Sequence, residues 1–391
     1  MSESSVRVVK RALILGIALL GAICLLGAIV TILFLRYDPY RAIHAAAEGN
    51  LELLRDVVAA DPSLIHVPNR WGTMQLPLHV AIRERHLDCA QFLLQHGADP
   101  NELASCATPL YWAAANGDTA AIRLLVSAGA KVDTLTCGGR TALAVSARNG
   151  HVEAVRLLVQ MGAHSIPPMH IACLLSEPDQ LTSLLRRSRS GIDRLDINGY
   201  SPLHYAALAG SIRCVRILLS VGANARAKNR DGITPLDLAA GEGRLEVVKE
   251  LWPKYKHVVP RTSDGSTPLH EAAYAGQDPV VNYFLENGMP VGDRTVSGES
   301  AIHFASESRR ASTVAVLLEH GAGVNSLTAD GDTPLHSVSN RSEGGPSEQQ
   351  AIQVALVLIE HGASLGLRNH QGETPKQKAK SQHLARLAAV M

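Results

Sequence analysis

Excess charge, aromatic side chains and paired cysteine motifs are all scarce in this chain. Its 37 Lys and Arg stand against 36 Asp and Glu, so no field of one sign draws it to nucleic acid or another polyanion. Phe, Trp and Tyr make up 4% of the 391 residues, which leaves Ala and Leu as the material of its interior. Six cysteines occur without a single C-x-x-C pair. Phosphate-binding and nucleophile motifs are missing too: there is no Walker sequence and no G-x-S-x-G elbow. Gly241-Glu242-Gly243 lacks the third Gly and the strand of a dinucleotide loop, and His270-Glu271-Ala272-Ala273-Tyr274 has Tyr where the zinc motif H-E-x-x-H needs its second His. The sequence therefore predicts no enzyme, no cofactor, no metal site, no nucleic-acid partner and no small-molecule substrate.

One stretch lacks charge altogether. After a short tail (residues 1–11) that ends in Arg7, Lys10 and Arg11, residues 12–35 read ALILGIALLGAICLLGAIVTILFL, with Thr31 the one polar side chain. At a helical rise this run spans roughly 36 Å, enough to cross a hydrocarbon core. A cleaved signal peptide would have a shorter apolar core and a small-residue cleavage site after it. A retained transmembrane helix, and so a membrane protein with one span near its N-terminus, is the expectation. Three basic residues precede the span and Arg36 and Arg41 follow it. That bias slightly favours a cytoplasmic N-terminus, which would export the remainder. Thiol-like cysteines argue the other way, and a difference of one charge leaves the side open.

The rest of the chain is organised around Thr267-Pro268-Leu269-His270-Glu271-Ala272-Ala273, which recurs with small changes. Copies read Thr108-Pro109-Leu110, Ser201-Pro202-Leu203-His204, Thr234-Pro235-Leu236 and Thr333-Pro334-Leu335-His336. The Thr or Ser hydroxyl caps orphan N–H groups at a helix start, and Pro fits the first helical position. A second helix with a Leu-Leu pair follows, closed by Gly-Ala and then Asp or Asn, as in Gly97-Ala98-Asp99 and Gly222-Ala223-Asn224. In spelling and in period, near 33 residues, this resembles the ankyrin repeat. The resemblance covers about 350 residues and implies an all-α fold: about ten helix-turn-helix repeats with β-hairpin or loop fingers, over residues 39–391.

Departures from the pattern are informative. The first copy, Ala42-Ile43-His44-Ala45-Ala46, lacks the Thr-Pro start, and the fourth, Thr141-Ala142-Leu143-Ala144, has lost Pro and His. The fifth begins early at Pro168-Met169-His170, which truncates its finger and marks the junction from Ala163 to Pro168 as the weakest joint. Pro253 must end the second helix of the seventh. Residues 341–350 read as a surface loop inserted into the tenth, and Thr374 to Met391 as a half-repeat cap. Cys89, Cys173 and Cys214 hold helical positions suited to a small core residue. Cys106 and Cys137 lie in consecutive inter-repeat loops, two residues apart in register, and whether they pair is open at this stage. An odd count in the folded region argues against a disulfide scaffold. Seven of the seventeen histidines (His44, His79, His170, His204, His270, His303, His336) occupy the fixed repeat position, where the resemblance implies local hydrogen bonds that tie neighbouring loops.

Taken with the expected span, the resemblance implies a membrane-tethered scaffold or adaptor. It would bind an unnamed partner protein on the concave surface of first helices and finger tips. The alternative is a structural or protective array with no single partner. Reading the residue after each repeat His gives the column Val80, Trp112, Val145, Ile171, Tyr205, Leu238, Glu271 and Phe304. Large aromatics on a rigid surface most often dominate binding energy. The partner-binding set is accordingly Trp71, at the tip of the first finger, with Tyr111, Trp112, Asn116, Arg148 and Tyr205.

Overall fold

Each repeat starts its first helix where the local chemistry says it should. In the computed structural model, which describes residues 39–68, 74–255, 258–340 and 348–391, the Thr108 hydroxyl accepts from the N–H of Tyr111 at 3.2 Å. Thr141 does the same for Ala144 at 3.1 Å. Pro then occupies the first turn. The first helices are short because a left-handed residue follows them, often glycine but Arg85, Ser176 and Arg309 in three copies: Gly210, at φ 75°, ends its helix and turns its N–H back to the carbonyls of Ala206 and Ala207. Close approach of successive first helices depends on Ala pairs such as Ala113–Ala114, Ala206–Ala207 and Ala272–Ala273, all fully buried.

The chain divides into two units, described separately. The first, ending at Gly138, contains three described helix pairs: α1 (Arg41–Glu48) with α2 (Leu51–Ala60), α3 (Pro77–Arg83) with α4 (Leu87–Gln95), and α5 (Pro109–Ala115) with α6 (Thr119–Ser127). The second, Gly139–Met391, begins with α7 (Ala142–Arg148) and α8 (Val152–Gln160), α9 (Pro168–Leu174) and α10 (Pro178–Arg187), then α11 (Pro202–Ala209) and α12 (Ile212–Ser220). There follow α13 (Pro235–Gly241) and α14 (Leu245–Leu251), α15 (Pro268–Ala275) and α16 (Asp278–Glu286), and α17 (Ala301–Glu307) and α18 (Ala311–Glu319). Last come α19 (Pro334–Ser337) and α20 (Glu348–Glu360), then α21 (Pro375–Ser381) and α22 (Ala385–Val390). Second helices fill the layer beneath the first with Leu93 and Leu125 in the first unit and Leu158, Leu218, Phe284, Leu317 and Leu358 in the second, all at 0% exposure. Each such side chain contributes about 1.5–3 kcal/mol by leaving water.

Six of the seven repeat histidines do what the pattern predicts. His204 accepts the N–H of Ser201 on Nδ1 at 3.1 Å, which leaves the proton on Nε2, and Nε2 donates to the Ile233 carbonyl of the next finger at 3.1 Å. His270, His303 and His336 repeat this arrangement. His79 and His170 keep the finger bond but leave Nδ1 without a partner, their caps being Leu76 and Pro167, which carry no hydroxyl. Burial holds His79, His204 and His303 down at about 4.

Some expectations need correction. His44 is exposed, because α1 starts after Tyr40 and has no Thr-Pro cap to bring a ring inward. The residues from Thr374 onward, expected to be a half-repeat, form the complete pair α21–α22. The fingers contain no strand among the described residues; an isolated bridge joins Ala104 to Ala107, and single backbone bonds such as Ser263 N–H to the Asp231 carbonyl at 2.9 Å link successive fingers. They are turns instead. Asp196 Oδ1 accepts from the N–H groups of Asn198 and Tyr200 at 2.9 Å each, which closes the tip before a ladder can form. The basic tail 1–11, the proposed span 12–35, Trp71 and residues 341–347 of the insertion lie outside the described residues; residues 348–350 are the first turn of α20. Among the described residues no helix is long and apolar enough to cross a membrane.

Candidate functional site

In the first unit the expected partner-binding residues gather on α5. Tyr111 and Trp112 are half-buried and meet edge to face, with ring centroids 5.8 Å apart and planes at 88°. The indole Nε1 is buried without a hydrogen-bond partner. Asn116 caps α5 and sends its amide to the Arg83 carbonyl at 2.9 Å, while Arg85 donates to the Asn116 carbonyl at 2.7 Å. That residue is committed to joining α3 to α5.

Beside this helix the structure closes a bond that the sequence left open. Cys106 and Cys137 form a disulfide with Cα atoms 5.0 Å apart, inside the range such a bridge needs. The difference in register is absorbed by the finger itself. Ser105 and Cys106 both take left-handed backbone, φ 52° and 64°, in a tight turn between Ala104 and Ala107, and the Cys137 N–H reaches the Cys106 carbonyl at 3.2 Å. Both cysteines are exposed. Cys89, Cys173 and Cys214 are buried and free, as their helical positions predicted.

In the second unit Tyr205 is fully buried. Its hydroxyl donates to Asp196 Oδ2 at 2.7 Å and receives the Asn198 amide at 3.0 Å, so the ring supports a finger and presents no surface of its own. Asn198 also reaches the Ala144 carbonyl of α7 at 2.9 Å, and Arg148, half-buried at the end of α7, hydrogen-bonds Tyr200. The finger 196–200 thus holds the helix beyond the truncated one. Of the wider column, Val80, Val145, Ile171 and Tyr205 are core, whereas Trp112, Leu238, Glu271 and Phe304 stay partly open. Tyr111, Trp112 and Asn116 are therefore brought together; Arg148 and Tyr205 belong to the other unit and meet through the finger 196–200.

Sequence reasoning overlooked Asp237, which stands where His would sit on α13. Its Oδ2 accepts from the Thr234 N–H and hydroxyl at 2.7 Å each, and its Oδ1 is buried with no partner. The spelling Pro235-Leu236-Asp237, against Pro-Leu-His elsewhere, was the available signal. On α15, Glu271 is half-buried and raised to about 7, first by burial and then by the charges of Asp237 and Asp264. Farther along, Glu299, Asp330, Asp332 and Lys378 help line a polar cleft of about 460 Å³, with Lys378 and Asp332 paired at 2.5 Å. Among the described residues no group of three His, Cys, Asp or Glu could hold a metal ion.

Residues 100–166, 169–262, 222–294 and 255–328 match the family described as ankyrin repeats (3 copies), and residues 75–104 match the single ankyrin repeat. The tyrosine-protein kinase HTK16 of Hydra vulgaris is 30% identical over 160 residues, 40% of this chain and 18% of that protein. Human transient receptor potential cation channel subfamily A member 1 is 30% identical over 190 residues, 47% of this chain and 14% of the channel. The chain spans less than a fifth of the length of either relative. The crystal structure of the ankyrin repeat domain of Bcl-3 is 26% identical, with a TM-score of 0.45, and covers 58% of this chain and 100% of that one. Because the ankyrin-repeat matches run over residues 75–328, well over half of the sequence, the chain belongs to the ankyrin-repeat family, whose repeats form typically non-catalytic protein–protein interaction domains.

Proposed function

We propose that this chain is a protein-binding scaffold tethered to a membrane through residues 12–35, with its partner seated on first helices and fingers. The observation that carries the binding surface is the Tyr111–Trp112 pair: two large rings in edge-to-face contact, left partly open on a rigid helix. Tyr and Trp in such settings supply most of the binding energy at many interfaces. Arg148 joins this reading as a partly open cation in the second unit, and Tyr205 as the buried support of the finger that Arg148 holds. Trp71 belongs to it by sequence position. The tether is supported by the uncharged run and its basic flanks. An exposed disulfide between two fingers favours an oxidising compartment for the repeats, which agrees with the slight charge bias for a cytoplasmic N-terminus.

The test uses the full chain, photo-crosslinked in its native membranes. Trp112→Ala should remove about 2 kcal/mol or more of binding, roughly a 30-fold loss, with unchanged helical signal and melting temperature. A saturable crosslinked partner lost in that variant supports the reading. Capture that is unaffected while the melting temperature falls overturns it, and favours an array that spaces or shields without one partner. Alkaline carbonate should leave the full chain in the membrane pellet and release a chain starting at Asp38; extraction of the full chain would refute the tether.

A further inference from the structure

Six first helices carry His as their third residue, and each donates an Nε2–H hydrogen bond to a carbonyl in the following finger. On α13 that residue is Asp237, and half of the arrangement is lost. Its Oδ2 caps Thr234, but an ionised carboxylate has no proton to donate onward. The side chain is 3% exposed and Oδ1 faces no donor. A buried charged oxygen without a donor is a gap in the protein's own bonding.

The following helix sets a second carboxylate against this one. Glu271 on α15 packs against the end of α13, where a Cβ placed on Gly241 would stand 3.8 Å from its own Cβ. Asp264, on the finger between the two helices, adds a third charge near enough to raise Glu271. Burial and the other two carboxylates push Glu271 up to about 7, and burial raises Asp237 to about 6 against the pull of Thr234 and Lys228. Nearby cations are engaged elsewhere. Lys228 donates to the Arg261 carbonyl at 3.0 Å, Arg261 pairs with Asp293 at 2.9 Å, and Arg294 turns to the carbonyls of Gly298 and Leu327. On the open side of α15 stands Tyr274, 48% exposed, edge-on to the half-buried Phe304 at 6.3 Å.

Carboxylates short of a cation beside exposed aromatic faces match one chemistry well. A planar guanidinium bonds carboxylate oxygens through its fork and stacks on rings. We propose that the joint between α13 and α15, formed by Asp237, Glu271 and Asp264 beside Tyr274 and Phe304, seats an arginine side chain from a basic segment of a partner protein. Its partner chemistry is charge, so it stands independently of the aromatic surface on α5. Seating the cation ionises both carboxyls, so protons are released and binding tightens as pH rises from about 5 to about 8. The other titratable and charged groups at the joint are Asp264, Lys228, His270 and Tyr255. Burial would raise Asp264, but bonds from Thr262 and Ser266 hold it below the ordinary carboxylate value. Burial lowers His270 and raises Tyr255.

The full chain is titrated, by fluorescence anisotropy, with a labelled peptide alternating arginine and alanine. Glu271→Gln removes one charge at nearly constant shape, and Asp237→His restores the repeat residue with its onward proton. Both should weaken binding about tenfold or more, and the binding that remains should fall less steeply with added salt than that of the unaltered chain. Asp237→His should also raise the melting temperature, which separates lost binding from lost folding. Trp112→Ala should bind the peptide like the unaltered chain, so failure here and failure of the α5 surface are distinguishable. The proposal is overturned if both variants bind within about twofold of the unaltered chain, if a peptide with glutamate in place of arginine binds equally, or if binding tightens on acidification.

Discussion

Opening the Cys106–Cys137 bridge should loosen the helix pair α5–α6. The two cysteines are 31 residues apart in sequence, and on a chain-entropy model closing a loop of that length stabilises the fold by about 3.7 kcal/mol. Against this stands the turn at Ser105 and Cys106, two side-chain-bearing residues in left-handed backbone, each costing about 1 kcal/mol or more. If the turn relaxes once the bridge is gone, part of that cost is recovered. The net loss should fall between about 2 and 4 kcal/mol, a drop of about 8 °C or more in the melting of a unit of this size. Both cysteines are exposed, so reductant reaches them without unfolding. Peptide mapping without reductant establishes the bridge. Melting with and without reductant, beside the double variant Cys106→Ser/Cys137→Ser, measures its contribution, and hydrogen exchange in α5 and α6 locates it. A chain proven to be bridged that melts within about 2 °C under all three conditions would refute the entropic argument. Free alkylation of both thiols in protein trapped with a thiol-blocking reagent directly from its native cells would refute the bridge itself.

Further outcomes follow from the buried ionisable groups and the turns. His79, His204 and His303 sit at about 4 because burial disfavours their charged form; the unfolded chain binds these protons at about 6.5. Stability should therefore fall as pH drops from about 6.5 to about 4, read as a declining urea midpoint. Glu271 is shifted the opposite way, to about 7, so its ionisation destabilises the fold as pH rises past the carboxylate range. Glu271→Gln should stabilise the chain at about pH 8 and be near neutral at about pH 5, and equal effects at both would refute the burial argument. Gly298→Ala should cost about 2 kcal/mol or more, since φ is 78° and the new Cβ would lie 2.8 Å from the Ala329 nitrogen. Amides between Ala163 and Pro168 should exchange faster than those of the regular joints, and uniform protection there would remove the claim of a weak joint.

How much of this was legible in the sequence depended on how local the determining chemistry is. The Thr or Ser cap, the Pro beside it and the closing Gly act within a few residues, so Thr108, Thr141, Ser201 and Thr267 marked helix starts correctly. The histidine bonds span about thirty residues but are written into every regular copy, and the pattern carried them. His44 failed because its copy lacks the cap that draws the ring inward. The disulfide was not legible because its register mismatch is corrected by two left-handed residues with no glycine to announce them. The reach of Asn198 to Ala144 depends on a neighbouring finger being short, a relation between copies that no single copy spells. Tyr205 was read as surface because its ring follows the repeat His, yet Asp196 and Asn198 draw its hydroxyl inward.

The departures from the repeat share a physical feature that bears on function. Where the third residue of a first helix is His behind a Ser or Thr cap, both ring nitrogens have roles inside the protein, and such a copy leaves nothing for a partner to satisfy. Tyr111 replaces that His on α5 and brings an aromatic pair to a partly open face, with an indole N–H that has no partner. Asp237 replaces it on α13 and leaves a buried oxygen without a donor. Ala144 replaces it on α7, and a finger amide from a later copy comes to its carbonyl instead. Local rules are most often broken where a fold trades stability for a specific contact. Restoring His at 111 and at 237 should then separate the two effects. Each substitution should raise the melting temperature by restoring a finger bond worth about 1 kcal/mol. Tyr111→His should weaken capture of the crosslinked partner, and Asp237→His should weaken binding of the arginine peptide. A pair of substitutions that stabilises the chain and leaves both kinds of binding intact would show that these departures are drift in a tolerant scaffold.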